Sequence, residues 1–163
     1  MSDAALLSEF DNEMASTRKM LEAVPDDRLD FRPHEKSWTL LQLASHVSNI
    51  PTWTAVTLTA TELDLNQDWS RDEPTNRQEI LSDFEAAVAG ARPVLEAATA
   101  EDMQVPWTLK EGDKVHFTLP RAAIFRSFVL SHLIHHRAQL GVYLRLLDLP
   151  VPGMYGPSAD EAM

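Results

Sequence analysis

No cysteine occurs in the 163 residues, which excludes disulfide frameworks, thiolate zinc clusters and cysteine nucleophiles. Any metal held by this chain must be bound through nitrogen or oxygen. Positive charge is also scarce: 14 Lys and Arg stand against 25 Asp and Glu, a formal net charge of -11. Such a balance repels a phosphate backbone, and no basic stripe offsets it locally, so nucleic acid is not an expected partner. No apolar run approaches the roughly 20 residues that a membrane-spanning helix requires. The first ten residues carry Asp3 and Glu9 and have neither a basic leader nor an apolar stretch, so they do not read as a signal peptide. The expectation is a soluble cytoplasmic protein with no membrane partner.

What is present is enough for a core. At 44% hydrophobic residues, the chain fits one domain over residues 1–163 without a disulfide or a structural metal. Leu6, Phe10, Met14, Leu21 and Val24 recur at helical spacings and predict a first amphipathic helix that ends before Pro25. Pro25 to Ser37 reads as a connection with a short helical turn. A second helix is expected from about Leu40 to about Thr61, capped by Ser37 or Thr39, with Leu40, Leu43, Val47, Ile50 and Leu58 inward. Pro51 lies inside it and should kink or divide it.

After a polar loop from Asp64 to Pro74, Thr75-Asn76-Arg77-Gln78 fits a capping box. It opens a third helix with Ile80, Phe84, Val88 and Leu95 inward, distorted at Pro93. Between Met103 and Leu119 the pattern resembles a short hairpin turning at Glu111-Gly112-Asp113-Lys114. A fourth helix then starts near Pro120, with Thr118 as its cap, and runs through Leu146. The tail from Pro150 is irregular and should drape over the helices. These elements predict an all-α four-helix bundle with a short hairpin between helices three and four.

The chemistry is concentrated in Ser131-His132-Leu133-Ile134-His135-His136-Arg137. His132 and His136, four residues apart, share one helix face about 6 Å apart along the axis, where two imidazoles can grip one ion. The plainer reading is one buried and one solvated histidine. Phe128, Val129, Leu133, Leu140 and Tyr143 suggest that this face points into the bundle, where unpaired imidazoles are costly and ligation would satisfy them. A third histidine, His46, lies in the apolar stripe of helix two, and facing helices are where bundle metal sites are assembled. Neither a His-Glu-x-x-His motif nor a pair of Glu-x-x-His segments occurs, which leaves a mononuclear three-histidine site. Three protein ligands leave a position for water or substrate, the arrangement of a catalytic rather than a structural metal.

Trp38 ahead of helix two, His46 within it, His132-x-x-x-His136-Arg137-x-Gln139, Leu144-Arg145 and Tyr155-Gly156-Pro157-Ser158-Ala159-Asp160-Glu161 together resemble the DinB/YfiT-like family. The resemblance covers nearly the whole chain. It implies a four-helix bundle, frequently a homodimer, whose three histidines bind one divalent metal ion, often zinc or nickel. Carried over by position, those ligands are His46, His132 and His136. It further implies metal-dependent transfer of a low-molecular-weight thiol, such as bacillithiol or mycothiol, or hydrolysis. One departure is Ala138, where members commonly have Gly.

Other residues carry weaker readings. His135 should point about 100° away from His136, toward the surface or an interface, while His34 and His116 read as exposed polar residues. Arg137 and Gln139 belong to the resembling pattern, and on a long helix they suit salt bridges or hydrogen bonds to the bundle, which assigns them no specific role. Tyr155 either lines the site or anchors the tail, and Trp53, seven residues after His46, can share its face. No general base is identifiable. The expected function is activation of a thiol or water against a small-molecule substrate. The alternatives are a non-catalytic metal- or small-ligand-binding stress-response bundle, and a structural domain whose histidines are satisfied by side chains or water.

Overall fold

The computed structural model describes residues 3–161. Its helices are α1 (Asp3–Glu22), α2 (Leu40–Asn49), α3 (Trp53–Thr59), α4 (Arg77–Ala97), α5 (Arg121–Ile124) and α6 (His132–Leu146). A 3-10 turn at Ile50–Thr52 joins α2 to α3, and a π-helical segment at Phe125–Ser131 joins α5 to α6. These form four bundle helices: α1, α2 with α3, α4, and α5 through α6. Helix α1 packs against α4 and α6, and α2 packs against the same two. The seam between α2 and α6 is therefore continuous with the core. Phe10, Met20, Leu21, Leu43, Ile80 and Leu133 are among its fully or almost fully buried side chains.

Local chemistry accounts for the helix ends. Thr39 closes a capping box at the start of α2: its hydroxyl accepts from the Gln42 N–H at 3.1 Å, and the Gln42 side chain accepts from the Thr39 N–H at 2.9 Å. The next two N–H groups donate to carbonyls of the preceding connection, Leu40 to Phe31 and Leu41 to Leu29. The connection thus satisfies donors a helix start leaves orphaned. Pro51 divides helix two as expected, because it has no N–H to continue the ladder.

The third and fourth helices begin differently from the pattern read in sequence. The cap of α4 is Asn76, one residue later than the Thr75 box; its side chain accepts from the Glu79 N–H, and Glu79 reaches back to the Thr75 N–H and hydroxyl. Glu79 outcompetes Gln78 because a carboxylate is the stronger acceptor at a helix N-terminus. Helix α4 continues through Pro93 to Ala97. The proline removes one donor late in the helix, opposite the exposed Ala89, where water can replace it. Thr118 is not a cap: it lies in a strand, and its hydroxyl pairs with that of Thr108 at 2.8 Å.

The hairpin comprises β2 (Pro106–Glu111) and β3 (Lys114–Pro120), turning at Gly112, whose φ of 58° suits glycine. A strand not foreseen, β1 (Glu62–Asp64), pairs in parallel with β2 in the order β1-β2-β3. Three residues are too few to carry a period-two signal, and only their pairing with β2 makes them a strand. The sheet seats buried Trp107 toward the bundle, and Phe117 lies 5.4 Å from the Phe128 ring of the π-helical segment. The tail is irregular and is tied down as expected: Asp160 accepts from Arg145 and from the Val151 N–H.

Candidate metal centre

His46 projects from α2, one residue after Ser45 and one turn before the break at Pro51. His132 and His136 project from the first two turns of α6. Across the seam, the Nε2 atoms of His46 and His132 are 3.1 Å apart, and one ring nitrogen from each of the three histidines lies within 4.8 Å of the others. The rings sit with centroids 4.6 to 5.0 Å apart. A tetrahedral ion with Zn–N bonds of 2.0–2.1 Å holds its ligand nitrogens about 3.3 Å from one another. The donor set therefore fits a single small divalent ion, and no carboxylate of the described residues belongs to the group.

Two of the three imidazoles are oriented by a hydrogen bond. Gln139 Oε1 lies 2.8 Å from His136 Nδ1 and, as an acceptor, calls for the proton on that nitrogen, which leaves Nε2 free to ligate. The His132 ring hydrogen-bonds the backbone carbonyl of Phe128. That carbonyl is available because of the π-helical segment: the His132 N–H reaches back five residues to Ser127 instead of four to Phe128. Trp38 stacks on His136, with centroids 5.6 Å apart and 23° between planes, and stands edge-on to His46 at 5.0 Å. Its position is held by Tyr143, whose hydroxyl donates to the Trp38 carbonyl. Trp53 brackets the other side, 5.2 Å from His132 and 6.1 Å from His46.

The trio is electrostatically prepared for a cation. Burial, then the neighbouring His136 and His132 and the Arg71 guanidinium, push His46 from 6.5 down to about 4. His132 and His136 are lowered as well, chiefly by burial, against the opposing hydrogen bonds to Phe128 and Gln139. All three are thereby biased toward the neutral imidazole, which keeps one ring N–H and presents a lone pair on the other nitrogen, the state a ligand requires.

The remaining candidates separate cleanly. His135 and His34 are exposed, and His116 is exposed beside Glu111. Arg137 turns away from the site and is buried, with Nη2 2.7 Å from Glu13 Oε2 and Nη1 donating to the Glu13 carbonyl and to Thr17. Tyr155 joins that pair: it accepts from Arg137 and donates to Glu13, both at 2.9 Å, so it anchors the tail. Arg71 was not singled out in the sequence, where it sits in a polar loop without a pattern. It donates to the Ser45 carbonyl and hydroxyl and so clamps that loop beside His46.

The sequence profile of the DinB family matches residues 1–163. The chain belongs to the DinB family. It is 27% identical over 164 residues to YrdA of Bacillus subtilis, a protein described as uncharacterized, covering 95% of this chain and 89% of that one. Among solved structures, a DinB-like protein of Bacillus cereus superposes with a TM-score of 0.69 at 26% identity, covering 91% of this chain and 95% of its own. YfiT of Bacillus subtilis, described as "a probable metal-dependent hydrolase with an unusual four-helix bundle topology", superposes with a TM-score of 0.66 at 17% identity, covering 91% of this chain and 89% of its own. At that identity the likeness is one of fold. The DinB-like structures bear out the expected bundle.

Proposed function

We propose that the protein is a metal-dependent enzyme in which His46, His132 and His136 hold one divalent ion, zinc or nickel, and a thiol or water attacks a small electrophilic substrate. The observation that carries this reading is the convergence of three imidazoles, each biased toward its neutral form, without a fourth ligand among the described residues. The open side meets a cavity of about 380 Å³ lined by Lys36, Trp38, His136, Gln139 and Tyr143. Among the described residues no carboxylate lines it, so none is placed there as a general base. The nucleophile must be one whose pKa a bound ion brings toward neutrality, which water and thiols both satisfy. The chain's own contribution is positional: Gln139 and the Phe128 carbonyl aim two ligands, while Trp38 and Trp53 pack against the imidazole rings from either side. The description of YfiT as "a probable metal-dependent hydrolase" supports this reading by analogy of fold.

Elemental analysis of tag-free protein tests it directly. About one zinc or nickel ion per chain, lost in His132→Ala while the far-ultraviolet dichroism is retained, is the expected result. No metal in the wild type, even after incubation with either ion, would return the three histidines to a structural role.

A further inference from the structure

A second cavity, of about 480 Å³, is lined by Trp53, whose ring stands beside His132 and His46. Its walls continue the metal ligands' own helix faces. From His46 the lining steps along helix two through Asn49, Trp53 and Val56; from His132 it steps back along helix four to Phe128 and Ile124. The two helices run antiparallel, so both series leave the histidines in the same direction, about 5.4 Å per turn. The cavity is thus the next layer of the same interhelical cleft, with Trp53 shared between them.

Three features specify what this space takes. Its walls are aromatic, with Trp53, Trp69, Trp107 and Phe128 around it, and no acidic side chain lines it. Leu65 and Trp69, 48% and 50% exposed, are among the larger apolar side chains left uncovered, and both lie at this cavity. The loop carrying them is braced, since the Asp64 carboxylate accepts from the N–H groups of Asn66 and Gly112, and the Trp69 indole donates to the Asp64 carbonyl. An aromatic cage of this kind would suit an organic cation, but the Arg71 guanidinium also lines the wall and repels one.

We propose that this cavity is the subsite for the non-reacting part of the substrate, and that the substrate is a small aromatic or branched-aliphatic molecule, neutral or acidic, whose reacting group passes Trp53 to reach the histidines. The inference rests on the metal reading above and deepens it by naming a substrate class.

Cobalt-substituted protein provides a test that does not depend on turnover, because a coordinated thiol produces a sulfur-to-cobalt charge-transfer band. Titration with 2-phenylethanethiol and with 2-mercaptoethanol compares an aromatic tail with a polar one on the same head group. The phenyl compound is expected to bind about tenfold more tightly or better, the gain from burying its ring. That advantage should fall below about twofold in Val56→Trp and in Leu63→Trp, which fill the cavity from the helix and from the sheet. Equal affinities in the wild type, with the band present, would overturn the subsite and leave the metal reading standing. A preference that survives in both filled variants would overturn it equally. Absence of bound cobalt would overturn the metal reading and, with it, this inference. The wild-type comparison decides the matter even if a filled variant does not fold.

Discussion

His46 shows how a single residue acquires its chemistry from its surroundings. Its sequence position marks it as one histidine in an apolar stripe, but burial and two facing imidazoles set its proton affinity, pushing it from 6.5 down to about 4. A histidine depressed in the folded state binds fewer protons there than in the unfolded chain. Its contribution to stability is therefore complete above about pH 6.5 and is lost as pH falls toward 4. His132 and His136, lowered for the same first reason, act in the same direction. The urea midpoint of metal-free protein should accordingly fall between pH 6.5 and 5, above the range where most carboxylates titrate, and fall less steeply in His46→Gln. A midpoint that is flat or rising as the solution is acidified would contradict the burial argument. The histidines were legible because an i, i+4 pair on an apolar face is a local pattern. Arg71 and the Phe128 carbonyl, which act on those histidines, were not, because only the folded chain brings the first close and frees the second.

At the scale of elements, the end of helix four illustrates a local conformation that the residue type disfavours. Asp148 is exposed and has a φ of 57°, the left-handed region. It closes a Schellman motif in which its own N–H donates to Arg145 and the Leu149 N–H to Leu144. Asp tolerates this position but keeps a steric cost that Gly does not carry. Asp148→Gly should raise stability by about 0.5–1 kcal/mol, some 1–4 °C in the melting midpoint by calorimetry. A lower midpoint would mean that the side chain contributes more than the strain costs. The π-helical segment Phe125–Ser131 is the opposite case, an element that gave no local signal. Its residues have the apolar spacing of an ordinary helix, and the altered hydrogen-bond pattern is expressed only where the segment packs against α3 and sets Phe128 against Phe117 of the sheet. Glu79 taking over as the partner of the α4 cap belongs with it: two overlapping capping patterns were present, and acceptor strength chose between them.

Across the whole molecule, Glu13, Arg137 and Tyr155 join the first helix, the last helix and the tail. Arg137 is 2% exposed and Glu13 6%, so this is a buried ion pair closed by one phenol. Removing one partner leaves a buried charge without compensation, at a cost of about 3–5 kcal/mol. Glu13→Ala should therefore lower the melting midpoint by on the order of 10 °C, and Glu13→Leu combined with Arg137→Met should recover much of that loss. Recovery would separate the uncompensated charge from lost packing as the cause. Neither Glu13 nor its pairing with Arg137 could be read in advance, since 124 residues separate them and nothing in either helix requires the other. What the sequence determined by itself was what depends on neighbours along the chain: the helices and their apolar faces, the break at Pro51, the hairpin turn at Gly112 and the three histidines as donors. The tertiary structure alone decided which faces meet. That choice brings a donor from α2 within 3.1 Å of one from α6, and adds β1 to the hairpin to wall an aromatic cavity beside them. It also buries Arg137 against Glu13. The reason is that packing energy depends on surfaces remote in sequence, whereas periodicity and turn chemistry report only on the surface each element offers.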